Sequence, residues 1–172
     1  MTVILVEGMS DQLALEALAQ RRGRNLDAEG VSILPIGGAQ AIVREVRRLH
    51  PHTRLAGLCD SGEEGYFRRA FEGVGLQDGF FVCHRDLEDE LVRALGVDAV
   101  EDVLAARQEL GLFRSFQQQP AWRGRQPEEQ LRRFLGTYSG RKIQTGAMLV
   151  NALDLDRVPD PLERVLDHVR PR

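Results

Sequence analysis

Acidic side chains follow short apolar runs in this chain, at positions where they could hold a metal ion. Glu7 and Asp60 each stand directly after such a run, and Glu88 stands shortly after another. Asp11 lies four residues after Glu7, so the first turn of a helix can direct it toward the same place. Carboxylates brought together repel one another unless a cation neutralises them. Hard oxygen ligands of this kind suit Mg²⁺ or Mn²⁺.

Each of these carboxylates also has a purely structural explanation. Glu7 could merely end a strand, and Asp11 could be an acid favoured by the helix dipole. Asp60 could begin a turn, and Glu88 could be a solvated helix residue. Because all four are expected at the same edge of one sheet, a shared metal site is the better explanation of the set.

The elements that would position these residues alternate regularly over the first half of the chain. Short apolar runs predict four strands, and amphipathic segments between them predict helices that begin at Ser10 and span Ala39–Leu49 and Glu63–Glu72. This alternation is typical of a parallel, right-handed βαβ sheet, in which sites form at the carboxyl ends of the strands. The predicted strands are Val3–Val6, Val31–Ile36, Leu55–Cys59 and Gly79–Cys83.

From Asp86 onward the apolar spacing is helical, and no linker-like segment divides the two halves. The predicted fold is therefore α/β, with a four-stranded, mainly parallel sheet flanked by helices and a helical C-terminal half. We expect a single domain over 1–172, with an α/β core at 1–90 and a helical extension packed on it at 91–172.

Composition narrows the class of protein. The chain has 172 residues, 42% of them hydrophobic, which is enough for a sizeable core. Neither a signal peptide nor a membrane-spanning run is recognisable, and the cysteines Cys59 and Cys83 are expected to be reduced and buried. A cytoplasmic location without membrane contact is the expectation.

Charge gives no bulk argument for nucleic-acid binding, because the net charge is −3. Three Arg-rich stretches lie away from the acidic strand ends, and each is expected to belong to a solvated helix face or loop. The stretches are Arg21-Arg22-Gly23-Arg24, Arg123-Gly124-Arg125 and Arg132-Arg133.

The opening motif resembles a known family. Val6-Glu7-Gly8-Met9-Ser10-Asp11 is similar to the opening of the Toprim domain, which topoisomerases, bacterial primases and related nucleases share. The Ile36-Gly37-Gly38 turn and the strand end at Asp60 follow in the family's order. The segments Asp86–Leu91 and Ser139–Lys142 resemble, more narrowly, the Toprim region of the overcoming-lysogenization-defect nucleases.

The resemblance implies a role for each matching residue. Glu7, Asp11, Asp60 and Glu88 would be metal-binding carboxylates, and Asp86 would be a further polar position of that site. Glu7 and Lys142 would be catalytic, since a lysine neutralises phosphate charge during strand cleavage. Arg85, Arg141 and Lys142 would contact nucleic acid. The implied activity is a metal-dependent endonuclease that hydrolyses phosphodiester bonds, with DNA as the expected substrate and two Mg²⁺ or Mn²⁺ ions as cofactors.

Two departures from the family pattern affect this prediction. The second acid of the family's Asp-x-Asp pair is absent, because Gly62 stands at its position. Glu63 and Glu64 follow, and Glu64 is taken as the replacement ligand, so one of the two metal sites is expected to be weak. No phosphate-binding GxxxxGK[ST] loop occurs in the sequence, so any coupling to ATP would require a separate ATPase partner.

Other functions stay open on the sequence alone. The main alternative is a non-catalytic or partner-dependent Toprim module within a DNA-processing or defence complex. A phosphate-accepting receiver domain fits less well, because the paired acids after the first strand are missing. Among other residues, His84 and Arg85 could contact phosphate, and Trp122 could stack on a base, although anchoring the helical half to the core is the favoured role for Trp122.

Overall fold

A computed structural model describes residues 1–137 and 139–171, with the side chains of 139–143 outside the description. Strands and helices alternate through the first half of the chain, and helices follow in the second half. Among the described residues, three short 3₁₀ turns lead into or connect helices, at Ala39–Ala41, Ser61–Glu63 and Leu155–Arg157. In chain order, the elements are β1 (Thr2–Val6), α1 (Met9–Arg21), β2 (Val31–Pro35), α2 (Ile42–Leu49), β3 (Arg54–Cys59), α3 (Glu64–Glu72), β4 (Phe80–Val82), α4 (Leu87–Leu95), α5 (Val97–Ala106), α6 (Leu110–Gln117), α7 (Pro127–Thr137), α8 (Ser139–Ala152) and α9 (Asp160–His168).

The four strands form one parallel sheet in the order β2-β1-β3-β4. Val6 at the end of β1 pairs with Pro35 of β2 and with Leu58 of β3, so these three strands end at the same level. Cys59 pairs with Val82 of β4 one position later. The α/β fold predicted from the alternation is confirmed, and the loops after the four strands meet at one edge.

Successive residues of the sheet point to opposite faces and build two apolar layers. Val3 and Leu5 pack with buried residues of α2 and α3 on one face. Ile4 and Val6 face the other side, where they join a cluster that runs from α1 to the helices of the second half. Because this cluster includes buried residues of α4 to α9, the helical half shares its core with the sheet. The division of the chain into an α/β core at 1–90 and a helical extension at 91–172 stays a prediction.

The boundaries differ from the predicted ones where turns intervene. The helix predicted over Ala39–Leu49 begins with a 3₁₀ turn, and Gly37 and Gly38 before it have φ angles of 72° and 112°. Such left-handed conformations favour glycine, which lets the chain reverse between β2 and α2. The helix predicted from Glu63 also starts after a 3₁₀ turn, and the strand predicted over Gly79–Cys83 spans Phe80–Val82, with Gly79 and Cys83 still hydrogen-bonded to β3.

The two cysteines, Cys59 and Cys83, are buried and free, as the sequence predicts. Burial raises the pKa of both thiols. They pack in different apolar layers of the sheet. Through the described part of the chain, none of the helices has the length and apolar character that crossing a bilayer requires.

Candidate metal centre

Glu7 and Asp60 lie together at the carboxyl edge of the sheet. Glu7 follows β1 and Asp60 follows the neighbouring strand β3, so the parallel register places them side by side. The backbone N–H of Asp60 donates a hydrogen bond to Oε1 of Glu7 at 2.9 Å. This bond fixes the direction of the Glu7 carboxylate at the strand ends.

Backbone hydrogen bonds connect the loops that follow the strands around these two residues. Gly37 and Gly38 both donate to the carbonyl oxygen of Glu7, each at 3.1 Å. On the other side, the N–H of Ser61 donates to the carbonyl oxygen of Arg85 at 3.2 Å. Backbone hydrogen bonds therefore link the loop after β1 to that after β2 and the loop after β3 to that after β4, and the bond from Asp60 to the Glu7 carboxylate joins the two pairs.

Asp11 reaches the same edge from the first turn of α1. Its Oδ2 accepts a hydrogen bond from the N–H of Gly8 at 2.9 Å, which caps the start of the helix. Helix α8 packs closely on this turn, since a Cβ added to Gly146 would lie 2.8 Å from the carbonyl oxygen of Ser10. Glycine at this position lets α8 approach the beginning of α1.

Helix α4 brings two further carboxylates. Asp86 caps the helix, because its Oδ1 accepts a hydrogen bond from the N–H of Asp89 at 2.9 Å. Its Oδ2 accepts from Nε of Arg132 on α7 at 2.7 Å. Glu88, in the first turn of α4, is only 7% exposed. The start of α4 is thus held by a contact with the helical half of the molecule.

The carboxylates act on one another electrostatically. Burial and the negative charges of four neighbours together raise the pKa of Asp60 to about 8, with burial as the largest cause. The four neighbours are, in decreasing order of effect, Glu7, Asp11, Asp86 and Glu88. They come from the loop after β1, from α1 and from the start of α4. Four of the carboxylates predicted for the metal site therefore lie within electrostatic range of a fifth, Asp60.

Glu64, the sixth, has a different setting. It begins α3, where its Oε1 pairs with Arg68 one turn later. Its charge contributes to the raised pKa of Cys59, whereas the carboxylates that, after burial, raise the pKa of Asp60 are Glu7, Asp11, Asp86 and Glu88. The role of Glu64 as replacement ligand stays a prediction. Gly62 and Glu63, at the position of the missing acid, line an open cavity beside Glu7.

The donor set fits a hard divalent cation in type and charge, because it consists of carboxylate oxygens around the partly buried Asp60. Over residues 1–137 and 144–171, no three His, Cys, Asp or Glu side chains are gathered in a ready arrangement for a metal ion. The carboxylates lie close enough to raise the pKa of Asp60. To coordinate an ion, however, their oxygen atoms would have to move closer to one another.

The predicted basic residues fall partly inside and partly outside the described side chains. Arg85 lies exposed after β4, with its Nη1 3.8 Å from Oδ1 of Asp89. Next to it, the Nδ1 of His84 lies 3.5 Å from Oδ2 of the same residue. The predicted nucleic-acid contacts of Arg141 and Lys142, and the catalytic role of Lys142, fall on side chains outside the described residues.

The Arg-rich stretch at the end of α1 is structural and not solvated as expected. Arg21 donates through Nη1 to the carbonyl oxygens of Val150 and Leu153, at 2.6 and 2.7 Å. Arg22 pairs with Glu163 of α9 at 2.7 Å. These arginines bind the ends of the C-terminal helices. No local pattern signals such contacts, because their partners lie more than a hundred residues away.

Trp122 has the structural role that the sequence favours. Its ring stacks on that of Phe116 with centroids 5.2 Å apart, and it packs against the core of the helical half. Arg125 lies over the same ring at 5.3 Å. Sequence reasoning missed Arg132, whose contact with Asp86 joins residues 46 positions apart.

Known proteins share both the opening motif and the fold. Residues 1–51 match the family model described as the overcoming lysogenization defect protein-like TOPRIM domain. The C-terminal region of the Burkholderia pseudomallei OLD protein is similar over 98% of this chain and 96% of that one, with 18% identity and a TM-score of 0.70. The C-terminal region of the Xanthomonas campestris pv. campestris OLD protein is similar over 98% and 94%, with 21% identity and a TM-score of 0.70.

No curated protein sequence matches this chain significantly. The resemblance predicted from the motifs is confirmed, because the family model covers the segment that carries Glu7 and Asp11. The fold is that of the C-terminal region of OLD proteins.

Proposed function

We propose that this chain, with its OLD-like Toprim motif and fold, is a metal-dependent nuclease that hydrolyses phosphodiester bonds, with DNA as the expected substrate. The observation that carries the proposal is the crowding of carboxylates around Asp60 at the strand ends. Glu7 lies beside it through a direct hydrogen bond, and four neighbouring carboxylates help to raise its pKa. Such crowding of like charge costs stability unless cations bind there, and it is typical of functional sites.

In this proposal Glu7, Asp11, Asp60 and Glu88 hold Mg²⁺ or Mn²⁺. A bound divalent ion supplies Lewis-acid stabilisation of phosphate charge and lowers the pKa of water. Asp86 has a supporting part, since both of its carboxylate oxygens are engaged, one by the start of α4 and one by Arg132. The Asp86 contacts fix the helix turn from which Glu88 extends.

Lys142 is the proposed residue that neutralises developing phosphate charge. It is the single lysine among 23 Lys and Arg residues in the chain. A lysine presents a compact, mobile ammonium group, whereas the planar guanidinium of arginine binds in a fixed fork geometry. The use of lysine at this one position, in the first turns of α8, supports a specific role for it.

The test is nicking of supercoiled plasmid by the purified chain with Mn²⁺, Mg²⁺ or EDTA. We expect metal-dependent nicking that falls at least about 100-fold in Glu7→Ala, Asp60→Ala and Lys142→Ala, with partial activity in Lys142→Arg. Asp98→Ala, which removes an exposed acid from α5, is the matched control and should cleave like the wild type. Nicking that survives Glu7→Ala and Asp60→Ala would show that a contaminant or another site is responsible.

A partner-dependent Toprim module is the second candidate, and Gly62 favours it because the second acid of the family pair is missing. It predicts a folded chain that binds metal poorly, so that its melting temperature hardly rises with Mn²⁺, and that cleaves nothing alone. Cleavage that appears only when a separate ATPase chain is added would support this candidate. Cleavage by the isolated chain would exclude it.

A further inference from the structure

An open cavity of about 770 Å³ lies beside Glu7, on the side of the sheet that α2 and α3 cover. Its walls come from the turn between β2 and α2 and from the turn between β3 and α3. Arg44, Tyr66 and Gly62 are among its lining residues. Because Glu7 belongs both to this cavity and to the carboxylate cluster, a polymer bound in the cavity would lead directly to the metal centre.

The turns around the cavity leave backbone open to it. Gly37, Gly38 and Gly62 all line it, and a Cβ added to any of the three would have no atom within 4 Å. The cavity floor therefore carries no side chain at these positions. A polymer can approach the backbone there closely, as glycine permits at many phosphate-binding turns.

Arg44 supplies positive charge at the wall of the cavity. Its side chain is 76% exposed, and its Nε donates to Oε1 of Glu45 at 3.0 Å. A guanidinium has two further nitrogens, which can donate to a phosphate. Tyr66 adds an aromatic ring, over which the guanidinium of Arg69 lies at 5.0 Å from the centroid. Basic residues beside aromatic rings also occur in sites that bind single-stranded nucleic acid.

We propose that this cavity is a subsite for a single nucleic-acid strand next to the reacting phosphodiester, with Arg44 contacting a neighbouring backbone phosphate. A cavity of this volume has room for about one or two nucleotides of a strand. The proposal rests on the nuclease function above and adds the strandedness of the substrate at the site. Arg44 acts here as a binding and positioning residue.

Arg48 provides a matched control for Arg44. Both arginines are exposed residues of α2, and both donate through Nε to Glu45, Arg48 at 2.9 Å. Arg48 lies one turn further along the helix, and among the described residues it does not line the cavity. Replacing either with glutamine removes the same charge and an ion pair with the same partner, so the position relative to the cavity is the main difference.

The experiment measures binding of a fluorescein-labelled oligothymidylate by anisotropy, with Ca²⁺ in place of Mg²⁺. We expect Arg44→Gln to bind about tenfold more weakly and to lower the slope of log K against log salt by about 0.7. Arg48→Gln should stay within about twofold of the wild type. In Mn²⁺, cleavage by Arg44→Gln should show a higher KM with a nearly unchanged kcat.

Equal losses in both variants would overturn the subsite, because a general charge effect would explain them. The same holds if neither variant differs from the wild type, or if the wild type binds no oligonucleotide. Binding that depends on Arg44 without any cleavage would leave the subsite standing while the nuclease function fails. Cleavage with an unchanged KM in Arg44→Gln would leave the nuclease function standing while the subsite fails.

Discussion

Two groups of acidic residues lie close to one another in this fold, and they differ in the neighbouring charges that act on them. Around Asp60, at the strand ends, carboxylates act on other carboxylates, and the pKa of Asp60 rises to about 8. On α4, Asp89 and Glu90 face cations. Nε of Arg93 lies 2.9 Å from Asp89, and its Nη2 lies 2.8 Å from Glu90. We call Asp89 and Glu90 the paired acids.

The paired acids are part of the structure that holds α4. Oε1 of Glu90 also accepts a hydrogen bond from the N–H of His84 at 2.7 Å, which joins the end of β4 to the helix. At Asp60, by contrast, the charges of Glu7, Asp11, Asp86 and Glu88 raise the pKa of the carboxyl. The comparison teaches that burial and acidity alone do not mark a metal site. The largest charges that act on Asp60 are negative, although Asp86 among them also pairs with Arg132, whereas Asp89 and Glu90 pair with Arg93.

The largest expected difference between the two groups is their response to metal. At free Mn²⁺ of about 100 times its Kd, binding to the native state should stabilise the protein by about 2.7 kcal/mol, which corresponds to a rise in melting temperature of about 8 °C. Asp60→Asn should lose this rise, and Glu90→Gln should keep it. Thermal unfolding with and without EDTA provides the measurement. A rise that Asp60→Asn retains in full would place the metal elsewhere.

The pH dependence of stability should carry the signature of Asp60. Its ordinary pKa is 3.8 and its pKa in the fold is about 8, so between these values the folded state binds the extra proton. The stability contributed by this group is therefore complete below the ordinary pKa and is lost as pH rises through 8. In EDTA, the melting temperature of the wild type should fall by roughly 6 °C more than that of Asp60→Asn between pH 6 and 8. Parallel curves over this range would contradict the raised pKa.

Loss of a paired acid should cost stability directly. Glu90 is 6% exposed, and Glu90→Gln removes its ion pair with Arg93, so we expect a loss of about 2 kcal/mol in the free energy of unfolding. Urea titration in EDTA measures this loss, with the exposed Asp98→Asn as control. Asp60→Asn should instead be neutral or stabilising at pH 8. A destabilised Asp60→Asn together with an unaffected Glu90→Gln would reverse the comparison.

The smallest effect is expected from restoring an acid at Gly62. A Cβ at this position meets open space, so Gly62→Asp should fold normally. The new carboxylate would add a ligand for the weaker metal site and should raise the metal-induced melting shift by roughly 3 °C. Gly62→Asn matches it in size without the charge. Equal shifts in the two variants would show that the added charge does not reach the ion.

Much of the fold is predictable because strand and helix periods are local. The four strands, the alternation and the helical second half follow from apolar runs that each lie within a few residues. The strand predicted over Gly79–Cys83 is shorter as an element, at Phe80–Val82, although the carbonyl oxygen of Gly79 and the N–H of Cys83 still bond to β3. How far a strand extends depends on its partner, which the local pattern does not contain.

Some residues of the candidate site can be predicted from local sequence patterns, and others cannot. Glu7, Asp11 and Asp60 are predictable because each stands at the end of a strand or the start of a helix. Arg132 and Arg44 are not, because one meets Asp86 from a distant helix and the other lines a cavity formed by two separate turns.

By itself, the sequence determined the residue types at the strand ends and the order of the elements that carry them. Hydrophobic periodicity and turn residues act over a few residues, so each segment of the sequence contains the information for its own strand, helix or turn. Only the tertiary structure decided which carboxylates act on Asp60 and which acids pair with Arg93 or Arg132. That outcome depends on distances between segments far apart in the chain, and charge interactions depend on those distances and on burial.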